Sequence, residues 1–188
     1  MHVNADSLDE EIRITVDAAM ELANTVTDDG PDLVDRLRDV LVAHDFVRAS
    51  SASEAEMQAF ADRCVPLARV VRSLPGAELA DAVVRVNSSL EASAIAPSLS
   101  AHDGFALHIH WTSPTTPFPH QVAVDLLMAM ARTLCDHGVS RFGRCAADAC
   151  DHVFYDSTKN RSRRFCSDPR CASRTHTAAH RARLARES

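Results

Sequence analysis

The sequence predicts an α+β chain: a mostly helical N-terminal domain with one β-hairpin over residues 1–140, then a small cysteine-anchored module over residues 141–188. Three observations carry that expectation. Apolar residues recur at three-to-four spacing through most of the first 140 positions, the period drops to two around Phe105–Trp111, and Cys145, Cys150, Cys166 and Cys171 crowd into a basic C-terminal segment. Apolar residues make up 46% of the chain and aromatics only 5%, so the core is built mostly from Ala, Val and Leu, and the five glycines leave helices largely uninterrupted.

The first helix is expected over residues 7–27. Leu8, Ile12, Val16, Ala19, Met20, Ala23 and Val26 fall on one face, Asp6 or Ser7 is placed to cap it, and Asp28-Asp29-Gly30-Pro31 ends it. A second runs from Leu33 to about Phe46, with Leu33, Leu37, Val40 and Leu41 inward and Arg36, Arg38 and Asp39 outward. Ser53 and Glu56 stand at capping-box spacing before a third helix that reaches about Leu74. Pro75-Gly76 makes a turn, and a fourth helix covers Glu78 to Glu91.

The pattern then alternates. Phe105, Leu107, Ile109 and Trp111 interleave with Ala106, His108 and His110, as on a half-buried strand, with a turn at His102-Asp103-Gly104 pairing it to residues 93–100. Pro114, Pro117 and Pro119 form a stiff connection. An apolar helix then runs from His120 through Leu127 and Met130 to Gly138, a usual C-cap residue. Cys64 and Cys135 lie in apolar helical patterns and read as buried thiols.

Charge divides the chain more sharply than the net of −6 suggests. Residues 1–140 carry 9 Arg against 21 acids, whereas residues 141–188 carry 11 Lys plus Arg against 5 acids. Only the C-terminal part suits a polyanion. Arginine outnumbers lysine 19 to 1, so arginine counts alone say little. No basic segment precedes an apolar run with a small-residue cleavage site, and no run of about 18 apolar residues occurs, so a cytoplasmic protein without membrane contact is expected.

Chemistry concentrates in the cysteines. Two Cys-x4-Cys pairs separated by fifteen residues supply four thiolates, the donor set of a tetrahedral Zn2+ site with no position left for water. Such a site is structural. After the first pair come Val153, Phe154 and Tyr155, a polar turn at 156–160, and a second limb over 161–165 that leads into the second pair. Asp168-Pro169 opens a final helix to about Leu184. A knuckle, a hairpin and a helix bearing the last ligand outline a treble-clef finger. Lys159, Arg161, Arg163 and Arg164 near the hairpin, and Arg174, His176 and Arg181 on the helix, are the candidate nucleic-acid contacts. Protein contact and a scaffold role remain open from the residues alone.

Other candidates are thinner. His108 and His110, two apart on one strand, could chelate a metal or line a pocket, although a polar outer face is the favoured reading; Asn24 could line a ligand site, with ending the first helix the favoured reading. No Gly-rich phosphate loop, nucleophile elbow or Ser/His/Asp constellation occurs, so the sequence predicts no enzyme.

The run from Cys145 and Cys150 through Phe154-Tyr155-Asp156-x-Thr158-Lys159-Asn160-Arg161-Ser162-Arg163-Arg164-Phe165-Cys166-Ser167 to Cys171-Ala172-Ser173-Arg174 closely resembles the CGNR zinc-finger family over about 40 residues. Phe165 stands where the family usually has Trp, and Ala172 and Ser173 replace its Gly and Asn. The N-terminal region, with Leu22-Ala23-Asn24-Thr25 in its first helix, resembles the ABATE domain that accompanies these fingers. The resemblance implies a bacterial transcription regulator whose finger binds DNA and whose N-terminal domain senses a small-molecule effector or stress. A homodimer would compensate for the small interface of one finger. The alternative is an adaptor whose zinc module docks an acidic protein partner.

Overall fold

The computed structural model describes residues 5–27, 30, 32–100 and 108–187. Helix α1 (Ala5–Thr25) is long and amphipathic, and Val16, Ala19, Met20, Leu22 and Ala23 are buried as the three-to-four pattern requires. It begins at Ala5, so Asp6 and Ser7 lie inside the first turn rather than capping it. Helix α2 (Leu33–Ala43) stops three residues short of the expected Phe46, because Asp45 takes a left-handed backbone (φ 63°) and Phe46 N–H turns back to the Leu41 carbonyl. A 3-10 turn over Val47–Ser50 follows. Arg36 and Arg38, expected outward, are half-buried. Arg38 Nη1 donates to the carbonyls of Ala49 (2.8 Å) and Ala52 (2.7 Å), which pins that turn.

Helix α3 (Glu54–Arg72) opens on the expected capping box. Ser53 Oγ accepts from Glu56 N–H at 3.3 Å, and Glu56 Oε2 accepts from Ser53 N–H at 2.9 Å. Gly76, at φ 76°, makes the turn into α4 (Leu79–Glu91). Strands β1 (Ser98–Ser100) and β2 (His108–His110) pair antiparallel with Leu99 opposite Ile109. The turn proposed at 102–104 lies outside the described residues. Helix α5 (Phe118–His137) starts two residues before His120, takes Pro119 into its first turn, and ends at Gly138 (φ 60°).

Helices α1, α3 and α5 pack on one another, with α2 and α4 at their flanks. Cys64 is buried within α3, and that burial pushes its thiol up to about 12, so it is inert. Cys135, expected inside, is exposed on the outer face of α5.

The C-terminal part joins this core. Strands β3 (Phe142–Arg144) and β4 (Val153–Tyr155) form an antiparallel hairpin, and Phe142, Val153 and Tyr155 belong to the main apolar cluster. The sequence-based pairing of Val153–Tyr155 with residues 161–165 is thus corrected: the partner strand precedes the first cysteine. Gly143 explains why. It sits opposite Phe154, and a Cβ there would stand 2.5 Å from the ring, so only glycine lets Phe154 lie across β3. Helix α6 (Pro169–Glu187) closes the chain. No helix among the described residues is long and apolar enough to cross a membrane.

Candidate metal centre

The loop joining β3 to β4 carries Cys145 and Cys150, and the start of α6 carries Cys171, one turn beyond Cys166. Their four sulfurs lie within 4.8 Å of one another, with Cys150 and Cys166 at 3.9 Å and Cys166 and Cys171 at 3.7 Å. Thiolates about 2.3 Å from a tetrahedral zinc stand about 3.8 Å apart, whereas disulfide sulfurs are about 2 Å apart. The spacing fits zinc, and all four cysteines are free.

Local backbone prepares the sulfurs for negative charge. Ala147, His152 and Asp168, each two residues beyond a cysteine, turn N–H groups toward Cys145, Cys150 and Cys166 respectively. Burial, with Cys171 and Cys145 close by, pushes the Cys166 thiol up to about 12. For Cys145 burial acts upward too, but hydrogen bonds from Cys166 and Ala147 N–H outweigh it and leave the thiol below its usual value. Thiols this crowded resist ionising together unless a divalent cation stands among them. Asp168 caps α6 through Oδ1 on Arg170 N–H (2.8 Å), with Pro169 in the first helical position, and this cap sets where Cys171 points.

A second layer holds the loop between the cysteine pairs. Asp156 is buried; its Oδ1 accepts from Thr158 N–H (2.8 Å) and Oγ1 (2.6 Å), and its Oδ2 accepts from Arg163 N–H (2.9 Å). Burial acts to raise this carboxyl, yet these bonds hold it below its ordinary value. Arg163 donates from Nε to the Phe165 carbonyl (2.9 Å) and from Nη1 to the Tyr155 carbonyl (3.1 Å), and its guanidinium lies 5.1 Å from the Phe154 ring centre. Of the seven candidate nucleic-acid contacts, only Arg163 is half-buried, where it braces the loop; Arg174 and His176 are exposed, with Arg174 Nη2 at 4.0 Å from the Cys171 sulfur and His176 edge-on against Phe165. Lys159, Arg161, Arg164 and Arg181 are exposed. Arg161 takes φ 51° and reaches Ser140 Oγ at 3.3 Å, and Arg164 lies over Phe165.

Residues 141–184 match the family model of the CGNR zinc finger. The C-terminal module is a CGNR zinc finger. No curated protein matches the chain. With the family and the sulfur geometry together, Cys145, Cys150, Cys166 and Cys171 constitute a structural zinc site.

Asn24 is tied to the backbone of this finger. Its Nδ2 donates to the Val153 carbonyl at 2.9 Å and its Oδ1 accepts from Val153 N–H at 2.8 Å, so one buried amide on α1 completes the hydrogen bonding of β4. Sequence spacing could not have found a partner 129 positions away. Arg72 and Arg144 tie the same junction: Arg72 Nη2 meets Asp151 Oδ2 at 2.5 Å, and Arg144 Nη2 donates to the Arg72 carbonyl at 2.7 Å. His110 lies opposite Ser98 and His108 opposite Ser100 in the first hairpin; the side chain of His108 is outside the described residues.

Beside Asn24, α1 and the finger enclose a cleft of about 190 Å3 lined by Asp17, Glu21, His44, Tyr155, Arg163 and Ser167, among others. His44 Nε2 and Glu21 Oε2 are 2.9 Å apart, and that bond holds the Glu21 carboxyl below its ordinary value. Burial raises Asp17, against the pull of Arg13, Arg163 and His44.

Proposed function

We propose that the chain is a zinc-dependent DNA-binding protein acting as a transcription regulator, with the finger as its reading head. The observation that supports this best is the state of α6. Every described side chain from His176 onward is exposed, so among the described residues the helix beyond Thr175 has no buried apolar face that would hold it by packing. Arg174 and Arg181, seven residues apart, share one flank of it, and Lys159, Arg161 and Arg164 stand exposed on the loop beside its start. Zinc fixes where this helix begins, and a polyanion would give its charged length something to bind. The loop cations would set position through phosphates while the helix reads base edges. On this reading the zinc does no catalysis, since four thiolates fill its coordination.

An ABATE-like N-terminal domain fits as a sensor, because an effector in the 190 Å3 cleft would touch Asp17 and Glu21 on α1 and Arg163 in the finger at once. A homodimer would supply the second contact that one small finger lacks.

The test is selection of zinc-loaded full-length protein against a random-sequence duplex pool near physiological salt, with Arg161→Ala/Arg164→Ala as control. Arg163 is unsuitable as a control, since its loss would disturb the loop. Enrichment of a motif that the double variant fails to enrich supports sequence-specific binding. Equal recovery of all sequences by both proteins removes the DNA reading and favours an adaptor docked on an acidic partner.

A further inference from the structure

Away from the finger's own exposed cations, positive charge gathers in an open cleft of about 550 Å3, where the C-terminal turn of α3 and the end of α1 meet β3. Arg69, Arg72 and Arg144 line it. Arg69 and Arg72 are three apart on one flank of α3, and Arg144 reaches over from β3 to the Arg72 carbonyl. Asp151, paired with Arg72, is the acid that answers them.

Part of this charge serves the fold. The carbonyl ends of α1 and α3 converge here, each carrying roughly half a negative charge. Three guanidiniums against one carboxylate and two helix ends still leave an excess of about one positive charge. That excess sits at the edge of a 140-residue segment in which acids outnumber arginines 21 to 9. Moreover, among the described residues Arg69 has no hydrogen bond or ion pair, and Arg72 Nη1 is buried without a partner. Arg72 and Arg144 thus serve the fold with part of their donors, and Arg69 and Arg72 Nη1 are left for another partner.

We propose that Arg69, Arg72 and Arg144 form a phosphate-binding cleft that takes a backbone phosphate of the nucleic acid held by the finger. The source of phosphate rests on the DNA-binding reading above; the chemistry of the cleft does not. The cleft is open to solvent, which lets a phosphate reach it from outside. It also continues into the finger: Ala146 N–H, two residues beyond Arg144, donates to the Arg164 carbonyl at 2.8 Å, so Arg164 stands beside the loop that Arg144 begins. The acidic segment then touches the polyanion through Arg69 and Arg72, beside Arg144 of the finger.

The test uses zinc-loaded full-length protein and two probes, a duplex at 0.05 to 0.2 M salt and inorganic phosphate followed by 31P NMR at fixed ionic strength. Arg69→Ala/Arg144→Ala is the informative variant, because Arg72 also anchors Asp151. Arg63→Ala is the control for charge alone: it removes one arginine from an exposed position on α3, nine residues and about half a turn from Arg72. Each phosphate contact contributes about 0.9 to the salt slope and roughly 5-fold to affinity near 0.15 M salt. Losing that one phosphate contact, the double variant should bind duplex about 5-fold more weakly and flatten the slope by about 1, with Arg63→Ala changing neither to that extent. Phosphate binding that the double variant loses, in a protein that binds no duplex, keeps the cleft as a site for free phosphate while the DNA reading fails. Duplex affinity and slope unchanged in the double variant, with no phosphate binding by the parent, overturn the cleft and leave the finger's DNA binding standing.

Discussion

Asn24→Ala should destabilise the zinc-loaded protein by about 3 kcal/mol and loosen the metal, although residue 24 lies on a helix and touches no cysteine. The variant removes two hydrogen bonds of 2.9 and 2.8 Å and leaves the N–H and carbonyl of Val153, a residue only 1% exposed, without protein partners. Each such buried group costs about 1–3 kcal/mol. The neighbouring cleft offers a route for water, which places the expected loss in the lower half of that range. For a chain of 188 residues, with an unfolding entropy of about 2.1 cal/mol/K per residue, 3 kcal/mol corresponds to a fall in Tm of about 8 °C. Asn24→Asp sharpens the test. Ionised, it still accepts from Val153 N–H but turns a carboxylate oxygen toward the Val153 carbonyl; protonated, it can donate there again. Its deficit against the parent at the same pH should therefore shrink from pH 7 to pH 4.5. Urea denaturation followed by circular dichroism, with zinc release followed by a chromogenic chelator, reads both quantities. An Ala variant within 0.5 kcal/mol of the parent, with unchanged zinc release, would refute the role given to this amide.

Cys166→Ser should abolish stoichiometric zinc binding measured by atomic absorption and, in cobalt-substituted protein, remove the thiolate charge-transfer band of a four-sulfur site; the loss of a structural zinc, about 10 kcal/mol or more of binding energy, should unfold the finger. Gly143→Ala should cost about 2–3 kcal/mol in urea denaturation, because the new methyl would meet the Phe154 ring, and Phe154→Leu in the same chain should recover part of it. Asp125, raised to about 7 by burial with Glu11 adding to it, is an acid that holds its proton more tightly folded than unfolded. Its contribution is favourable at low pH and is lost as pH rises through 7. Asp125→Asn should therefore stabilise the protein above pH 7, by at most about 4 kcal/mol, and change little near pH 4.

How much of this was legible in the sequence depended on whether the signal was local. Four thiols at matched spacing declare a metal because the ligand chemistry itself sets the spacing, and no long-range context is needed to read it. Apolar spacing found α1, α2 and α5, and the Ser53 and Glu56 capping box that opens α3 was readable because both partners lie within one turn. Helix ends were less legible: Asp45 breaks α2 by adopting a left-handed backbone, which aspartate tolerates without demanding it. The finger's hairpin was misjudged because residues 161–165 look as extended as Phe142–Arg144, and what decides between them is Gly143, whose missing side chain makes room for Phe154. Cys135 sits in an apolar stretch of α5 wide enough that the sequence does not mark which flank faces water.

Arginine shows most sharply where charge reading stops. Arg163 and Arg164 are adjacent and identical in sequence terms, yet one is bonded to two carbonyls and stacked on Phe154 while the other is exposed. The difference arises from Asp156, whose carboxylate accepts Arg163 N–H and so fixes which of the pair turns inward. Asn24 and Arg163 then act on the same edge of one strand, the first on Val153 and the second on the Tyr155 carbonyl, with the Arg163 guanidinium also over the Phe154 ring. Both line the cleft beneath α1, and the chain from Arg163 to the Phe165 carbonyl ends one residue from a zinc ligand. Anything that enters this cleft must therefore bear on the strand and the loop that position the metal. The finger and the helical domain therefore share a packed junction where β4 meets α1.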